Sequence, residues 1–210
     1  MKYVYREFKV IWKRFFDIFK IAFVGMDVKL DSVYREVESQ RIKTNFVNII
    51  PFSFFVIIFE LSSAVFNIAA GDIWYCRVGT GVACLSFLLF NVVAYVFLER
   101  TLASGDATDK SKEYFTYLYW GVYVITASLI NSFETISSGS ISSFFLTVFS
   151  LTSFAMLEPK LIFIYYLVIV GEQTAVMIIT KSSLEVLVFS LFTVAIGLFL
   201  SIFKYCTYMN

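Results

Sequence analysis

Glu172 and Gln173 stand side by side in the apolar run LVIVGEQTAVMII, residues 167–179. A carboxylate and an amide in such a segment are costly, so they face water, pair inside a helical bundle or bind a ligand. Glu60 interrupts a second apolar run, FVIIFELSS, in the same way. These side chains can hold a proton, exchange hydrogen bonds with other helices or recognise a polar group on a small molecule.

The depth of a residue in the membrane can be estimated by counting from the predicted inner end of its helix, at about 1.5 Å per residue. By this count Glu60 and Glu172 fall in the outer half of the bilayer, Asn131 falls at its outer rim, and Asn91 falls in the inner half. The structural alternative is that single Glu, Gln and Asn side chains join helices, at about 0.6 kcal/mol each. As a hypothesis, we expect a ligand site in the outer half of the bundle, formed by Glu60, Asn67, Trp74, Glu134, Glu172 and Gln173.

Several kinds of chemistry lack the residues they need. The chain has no histidine, no glycine-rich phosphate loop, no G-x-S-x-G elbow and no cysteine pair with metal spacing. Cys84 falls inside a predicted span, and Cys76 and Cys206 fall at opposite membrane faces, so we expect no disulfide framework. We therefore expect no catalytic residue, no metal and no cofactor in this chain.

The elements that must position these residues are membrane helices. Hydrophobic residues make up 59% of the 210 residues, aromatic residues make up 20%, and the net charge is +1. Runs of about 20 apolar residues are long enough to cross a bilayer. We predict an all-α polytopic protein with six spans, at Asn45–Ala70, Val78–Leu98, Tyr114–Ile130, Ile141–Met156, Lys160–Thr180 and Ser183–Phe203.

Charge and turn signals complete this topology. Of the 17 lysines and arginines, only Arg77 and Lys181 fall on one predicted side. The positive-inside rule then places both termini in the cytoplasm. Pro159 is predicted to open the fifth span, and SSLE (Ser182–Glu185) is predicted to be a capping box for the sixth.

Residues 2–23 have the pattern of an amphipathic helix with one basic and one aromatic-rich stripe. Such a helix suits the membrane interface, although it can also pack on the protein's own core or on a partner. Gly25–Asp27 breaks it, and a polar helix from Leu30 to Asn45 runs into the first span. We expect lipid headgroups rather than nucleic acid as its partner, through Lys9, Trp12, Lys13, Phe15, Phe19 and Lys20.

Four segments carry a family resemblance: RIKTNF before the first span, YLYWGVYV in the third, LEPKLIFIYYLVI across the fourth and fifth, and LFTVAIGLFLSIFKYCTY in the sixth. The pattern resembles the six-helix membrane input domains of bacterial signalling proteins, mainly GGDEF diguanylate cyclases and some histidine kinases. The resemblance implies a homodimer in the bacterial cytoplasmic membrane. It also implies that the sixth helix transmits a signal at Lys204 to a cytoplasmic output domain, although no GGDEF string occurs in this chain.

The resulting domain hypothesis has three parts: an interfacial helix and connector at 1–43, a sensor bundle at 44–205 and the start of a linker at 206–210. The ligand is expected to be a small or lipid-like molecule. The alternative is a substrate-binding subunit of an energy-coupling-factor vitamin transporter, which also has about six spans. The long charged N-terminal region and the lack of a small-xxx-small face in the first span favour the sensor.

Overall fold

The computed structural model describes residues 13, 32–70, 73–104 and 108–208. These ranges contain six helices and no strand, so the predicted all-α class is confirmed. Each predicted span overlaps one helix, and the fourth span (Ile141–Met156) and the sixth (Ser183–Phe203) extend beyond the ends of theirs. The helices are α1 (Ser32–Ala70), α2 (Trp74–Ser104), α3 (Asp109–Ser138), α4 (Ser142–Phe154), α5 (Pro159–Thr180) and α6 (Leu184–Tyr208).

Within the described ranges, three helices are long and apolar enough to cross a membrane: α5, α6 and the Trp74–Thr101 part of α2. The shorter α4 is also apolar. Those three have the length and composition of membrane-spanning helices and indicate a membrane protein. The count of six spans and the cytoplasmic position of both termini stay predictions.

The predicted interfacial helix at 2–23 and five of its membrane-contacting residues lie outside the described residues: Lys9, Trp12, Phe15, Phe19 and Lys20. Lys13 is described and its side chain is exposed. The polar segment before the first span does continue into it, since α1 is a single helix. That helix passes through Pro51, whose missing N–H leaves one turn without its usual hydrogen bond.

Side chains and special backbone conformations fix the helix ends. Thr108 caps α3 by accepting a hydrogen bond from the Ser111 N–H at 3.3 Å. Pro159 occupies the first turn of α5, as predicted. The predicted capping box at Ser182 and Glu185 is wrong: Ser183 precedes α6 and accepts from the Val186 N–H, and Val186 has no side-chain acceptor to complete a box. Lys181 ends α5 in the left-handed conformation, at φ 53°.

Helix α3 is the centre of the bundle and packs against α1, α2, α4 and α5. Its aromatic side chains close around Phe52 of α1. The Phe52 ring centroid lies 4.5 Å from that of Trp120 and 5.0 Å from that of Tyr123. Helix α6 packs against α4 and α5 instead. The outward side chains of α6 are apolar and exposed, as expected for a surface covered by lipid: Leu184, Val188, Phe192 and Phe199.

Gly197 allows α6 to approach its neighbours closely. A Cβ atom at this position would lie 2.8 Å from both the Tyr166 hydroxyl and a Val148 methyl carbon. Real Cβ atoms do not approach other atoms so closely, and both neighbours are buried. The contact between α6 and the α4–α5 pair therefore depends on the missing side chain.

Gly197→Ala should lower the free energy of unfolding by about 1–3 kcal/mol, because the added methyl group overpacks this contact. Gly171→Ala on α5 is the matched control, since a Cβ there would meet nothing within 4 Å. The control should be neutral or slightly stabilising, by up to about 1 kcal/mol. Thermal unfolding in mild detergent measures both variants, and equal midpoints would contradict the close approach.

Candidate functional site

Two polar sites link the helices, one near each end of the bundle. The first, the amide–carboxylate cluster, consists of Asn131 and Ser132 on α3 and Glu172 and Gln173 on α5. The Asn131 Nδ2 atom donates to both carboxylate oxygens of Glu172, at 3.2 and 3.1 Å. It also donates to Gln173 Oε1 at 2.5 Å, and the Ser132 hydroxyl donates to Glu172.

The positions of Glu172 and Gln173 follow from helix geometry. Neighbouring residues on a helix point about 100° apart. Gln173 therefore faces the interior and is 2% exposed, whereas Glu172 is half-buried at the edge of α3. The same holds for Asn131, which is buried, and Ser132, which is half-buried. Two adjacent polar pairs thus meet across one helix contact.

Two atoms of this cluster have no hydrogen-bond partner among the described residues. They are Asn131 Oδ1 and Gln173 Nε2, and both are buried. An amide has acceptor and donor ends, and here each amide uses only one end. Since an unsatisfied buried polar atom costs about 1–3 kcal/mol, the cluster is a costly arrangement that a suitable ligand or water would stabilise.

The other predicted ligand-binding residues occupy different places. Glu134 is buried, and its Oε2 accepts from the Ser143 N–H at 2.9 Å, so it serves the start of α4. Trp74 is 73% exposed and packs on Tyr75. Glu60 and Asn67 lie on α1, but their side chains lie outside the described residues. Of the six residues, the structure brings together Glu172 and Gln173, and it adds Asn131 and the unpredicted Ser132.

A narrow crevice beside Gln173 lies between α4, α5 and α6. It is too narrow to admit a water molecule. Its wall is apolar apart from three residues, and the lining comprises Phe144, Val170, Gln173, Thr174, Leu187, Ser190, Leu191 and Val194. Any molecule that reaches the Gln173 amide from this side must first separate the helices.

The second site, the charged cluster, surrounds Arg41 of α1. Arg41 is only 1% exposed. Its guanidinium donates to Glu38 at 2.9 Å, to Glu113 of α3 at 3.1 Å and to the Met156 carbonyl at 2.8 Å. It also lies 5.6 Å from the ring centroid of Tyr205 on α6, a cation–π contact. One side chain thus contacts two other helices and the connection between α4 and α5.

Glu158 belongs to the same cluster. Carboxylate oxygens of Glu38, Glu113 and Glu158 lie within 4.8 Å of one another. Such a group can hold a cation, and the Arg41 guanidinium already supplies the positive charge here. Burial raises the pKa of Glu158, and Arg41 only partly opposes this rise. Burial lowers the pKa of Arg41, but the hydrogen bond and charge of Glu38 outweigh it and raise the pKa overall.

Asn45 and Lys204 hold the backbone at the end of α4. The Asn45 side chain accepts from the Met156 N–H at 2.9 Å and donates to the Met156 carbonyl. The Lys204 ammonium of α6 donates to the Thr152 and Ser153 carbonyls, each at 3.0 Å. Lys204, predicted as the signal-transmitting residue, therefore ties the end of α6 to the last turn of α4.

The sequence contained a signal for the charged cluster. Glu38, Arg41 and Asn45 are spaced by three and four residues, so they share one face of α1. The positive-inside rule uses Arg41 only as one of the cations that set the orientation of the chain in the membrane. Its backbone partner at Met156 is 115 residues away and has no sequence signature.

Comparison with protein-family models, with curated proteins and with solved structures gives no match. The fold and the apolar helices define the class as a helical membrane protein. Within that class, the two polar sites are the features that distinguish this bundle from a purely apolar one.

Arg41→Met should lower the free energy of unfolding by about 1.5–3 kcal/mol, because it leaves half-buried carboxylates without their hydrogen-bonded cation. Lys43→Met is the control, since Lys43 is an exposed cation on the same helix and should change stability by less than about 0.5 kcal/mol. Unfolding in mild detergent compares the two. If the variants were equally stable, Arg41 would not hold the cluster together.

The raised pKa of Glu158 makes stability depend on pH. The folded state binds the proton more tightly than the unfolded state, so this contribution is largest in acid and is lost as pH rises through the folded pKa. Glu158→Gln should therefore gain stability relative to wild type as pH increases, and the difference should fade towards acid. Melting temperatures from pH 4 to 8 test this, and a difference independent of pH would contradict it.

Proposed function

We propose that the chain is a membrane-embedded sensory input module. In it, a small or lipid-like ligand binds at the amide–carboxylate cluster, and α6 passes the signal to a cytoplasmic output domain. The observation that carries the proposal is the pair of unsatisfied amide atoms, Asn131 Oδ1 and Gln173 Nε2. A ligand that offers one donor and one acceptor would remove their cost. It would then favour the helix arrangement that admits it, and only such differential affinity can shift a conformational equilibrium.

A contiguous set of contacts connects this cluster with the end of α6. Tyr166 precedes Glu172 by six residues on α5, which is about 9 Å along the helix at 1.5 Å per residue. Its hydroxyl lies 2.6 Å from Thr152 Oγ1 on α4 and 3.3 Å from Ser201 Oγ on α6. Lys204 follows Ser201 by one turn and bonds the Thr152 carbonyl. A ligand that moved α5 would disturb both contacts, and α6 would respond.

The output domain in this proposal is a diguanylate cyclase, as the resemblance implies. Two cyclase domains, each holding one GTP, must face each other, so the spacing of two α6 helices in a homodimer would permit or block the reaction. The location that fits is the bacterial cytoplasmic membrane, with lipids around the bundle and both termini inside. The chain itself would carry no catalytic activity.

The transporter alternative has less support. Ligand sites for whole small molecules commonly enclose roughly 300–1,000 Å³. The crevice at Gln173 is too narrow to admit even a water molecule. A sensor tolerates such a closed resting state, because its ligand needs only to stabilise a second arrangement, whereas an uptake subunit must admit its cargo from outside.

A fusion of the full chain to a diguanylate cyclase catalytic domain tests the proposal through cyclic di-GMP in cells. Lys204→Met frees the end of α6, and Glu172→Gln alters the cluster, so each should change cyclic di-GMP by about fivefold or more. Lys110→Met, an exposed cation of α3, should leave it unchanged.

Membrane levels of each fusion are measured by immunoblot to separate signalling from folding. Equal cyclic di-GMP in wild type and both variants, at equal membrane levels, would defeat the proposed function. If only Lys204→Met changed cyclic di-GMP, the role of α6 in transmission would stand, and the amide–carboxylate cluster would be rejected as the ligand site.

A further inference from the structure

A second pocket lies between α1 and α2, apart from both polar sites. It has a volume of about 180 Å³ and is lined by Ser53, Phe54, Asn91, Val92 and Tyr95. Phe54, Val92 and Tyr95 are exposed, so this lateral pocket opens on the outer surface of the bundle. Within the helical membrane protein, that surface faces lipid. A cavity of about 150 Å³ is large enough to bind benzene.

The floor of the lateral pocket is polar, and hydrogen bonds hold most of its polar atoms in place. Asn91 is 1% exposed, and its Oδ1 accepts from the Tyr119 hydroxyl at 2.7 Å. Tyr119 also lies 2.8 Å from Ser53 Oγ, and Ser53 Oγ lies 2.7 Å from the Ile49 carbonyl that it donates to. These bonds fix the side chains of three different helices around one point.

One donor on this floor is left over. The Asn91 side chain carries two N–H groups on Nδ2. One of them donates to the Phe87 carbonyl at 2.8 Å, and the other has no acceptor among the described residues. Because Asn91 lines the pocket, a molecule inside it can supply that acceptor. Satisfying a buried donor is worth about 1 kcal/mol net.

The walls determine the rest of the ligand. The five lining residues carry no charge, and an ion would be costly among them. Two of them are aromatic, and the Phe54 and Tyr95 ring centroids lie 6.3 Å apart at an interplanar angle of 71°. The two rings contact each other edge to face, and their remaining surfaces favour an aromatic guest, because aromatic contacts gain beyond simple area burial.

We propose that the lateral pocket binds a flat, uncharged aromatic molecule with a carbonyl acceptor, which enters from the membrane and accepts a hydrogen bond from Asn91 Nδ2. The carbonyl oxygen lies at the polar floor, and the ring of the ligand packs against the exposed sides of Phe54 and Tyr95 at the mouth of the pocket. This site is independent of the amide–carboxylate cluster, which is formed by α3 and α5. Its success or failure therefore leaves the proposed sensory function untouched.

Photolabelling of the purified full chain in lipid nanodiscs with anthraquinone tests the site, because this probe is itself a flat, uncharged aromatic ketone that attacks C–H bonds on irradiation. Adducts located by mass spectrometry should concentrate on Phe54, Val92 and Tyr95. Fluorenone should compete about fivefold better than fluorene, which has the same shape without the carbonyl, after correction for partition into lipid; this ratio is one net hydrogen bond expressed as affinity.

Val92→Phe fills the pocket at an exposed position, so it should fold and reduce labelling by about tenfold. Val93→Phe is its control on the neighbouring exposed position outside the pocket. Asn91→Leu should abolish the preference for fluorenone. Adducts spread over all exposed helices, equal competition by fluorene and fluorenone, or equal labelling of the Val92 and Val93 variants would each overturn the proposal.

Discussion

The organisation of the bundle follows from one constraint: a polar group that is kept from water must find its partner inside the protein. Helix α3 provides many of these partners. Its Tyr119 bonds α2, its Asn131 bonds α5, and its Glu134 bonds the start of α4. The Tyr117 carbonyl accepts from Tyr165 of α5 at 2.7 Å. Because these bonds lie at different heights along α3, they fix the rotation and depth of each neighbour against it.

Helix α6 is held in a different way. Among the described residues it packs on α4 and α5 rather than on the central helix, and Arg41 of α1 adds a cation–π contact to its Tyr205. Gly197 gives it a close fit, and Ser201 and Lys204 give it polar anchors on its inner face. An element with a few anchors and a broad apolar surface can change position at a small cost, which is the property that transmission through a helix requires.

The sequence predicted the elements well because hydrophobic runs and turn residues act locally. Each of the six apolar segments overlaps a helix, and Pro159 opens α5. The predicted capping box of α6 was wrong, since two adjacent serines are equally good caps. The pairing of Glu172 with Asn131 was not predicted, because depth along a helix does not reveal which helix lies opposite. Glu60 was the expected companion of Glu172, and its side chain lies outside the described residues.

The short length of α4 has a consequence for how its backbone is satisfied. A helix of 13 residues is about 20 Å long, whereas the hydrocarbon core of a bilayer is about 30 Å thick. In the predicted fourth span, its terminal N–H and C=O groups would not all reach water, and neighbouring helices supply hydrogen bonds to them instead. Glu134 accepts from the first turn, Lys204 donates to the last, and the Asn45 amide pairs with both backbone groups of Met156 as a neighbouring β-strand would. The ends of helix α4 therefore depend on three other helices, which supply the hydrogen bonds that these ends would otherwise exchange with solvent.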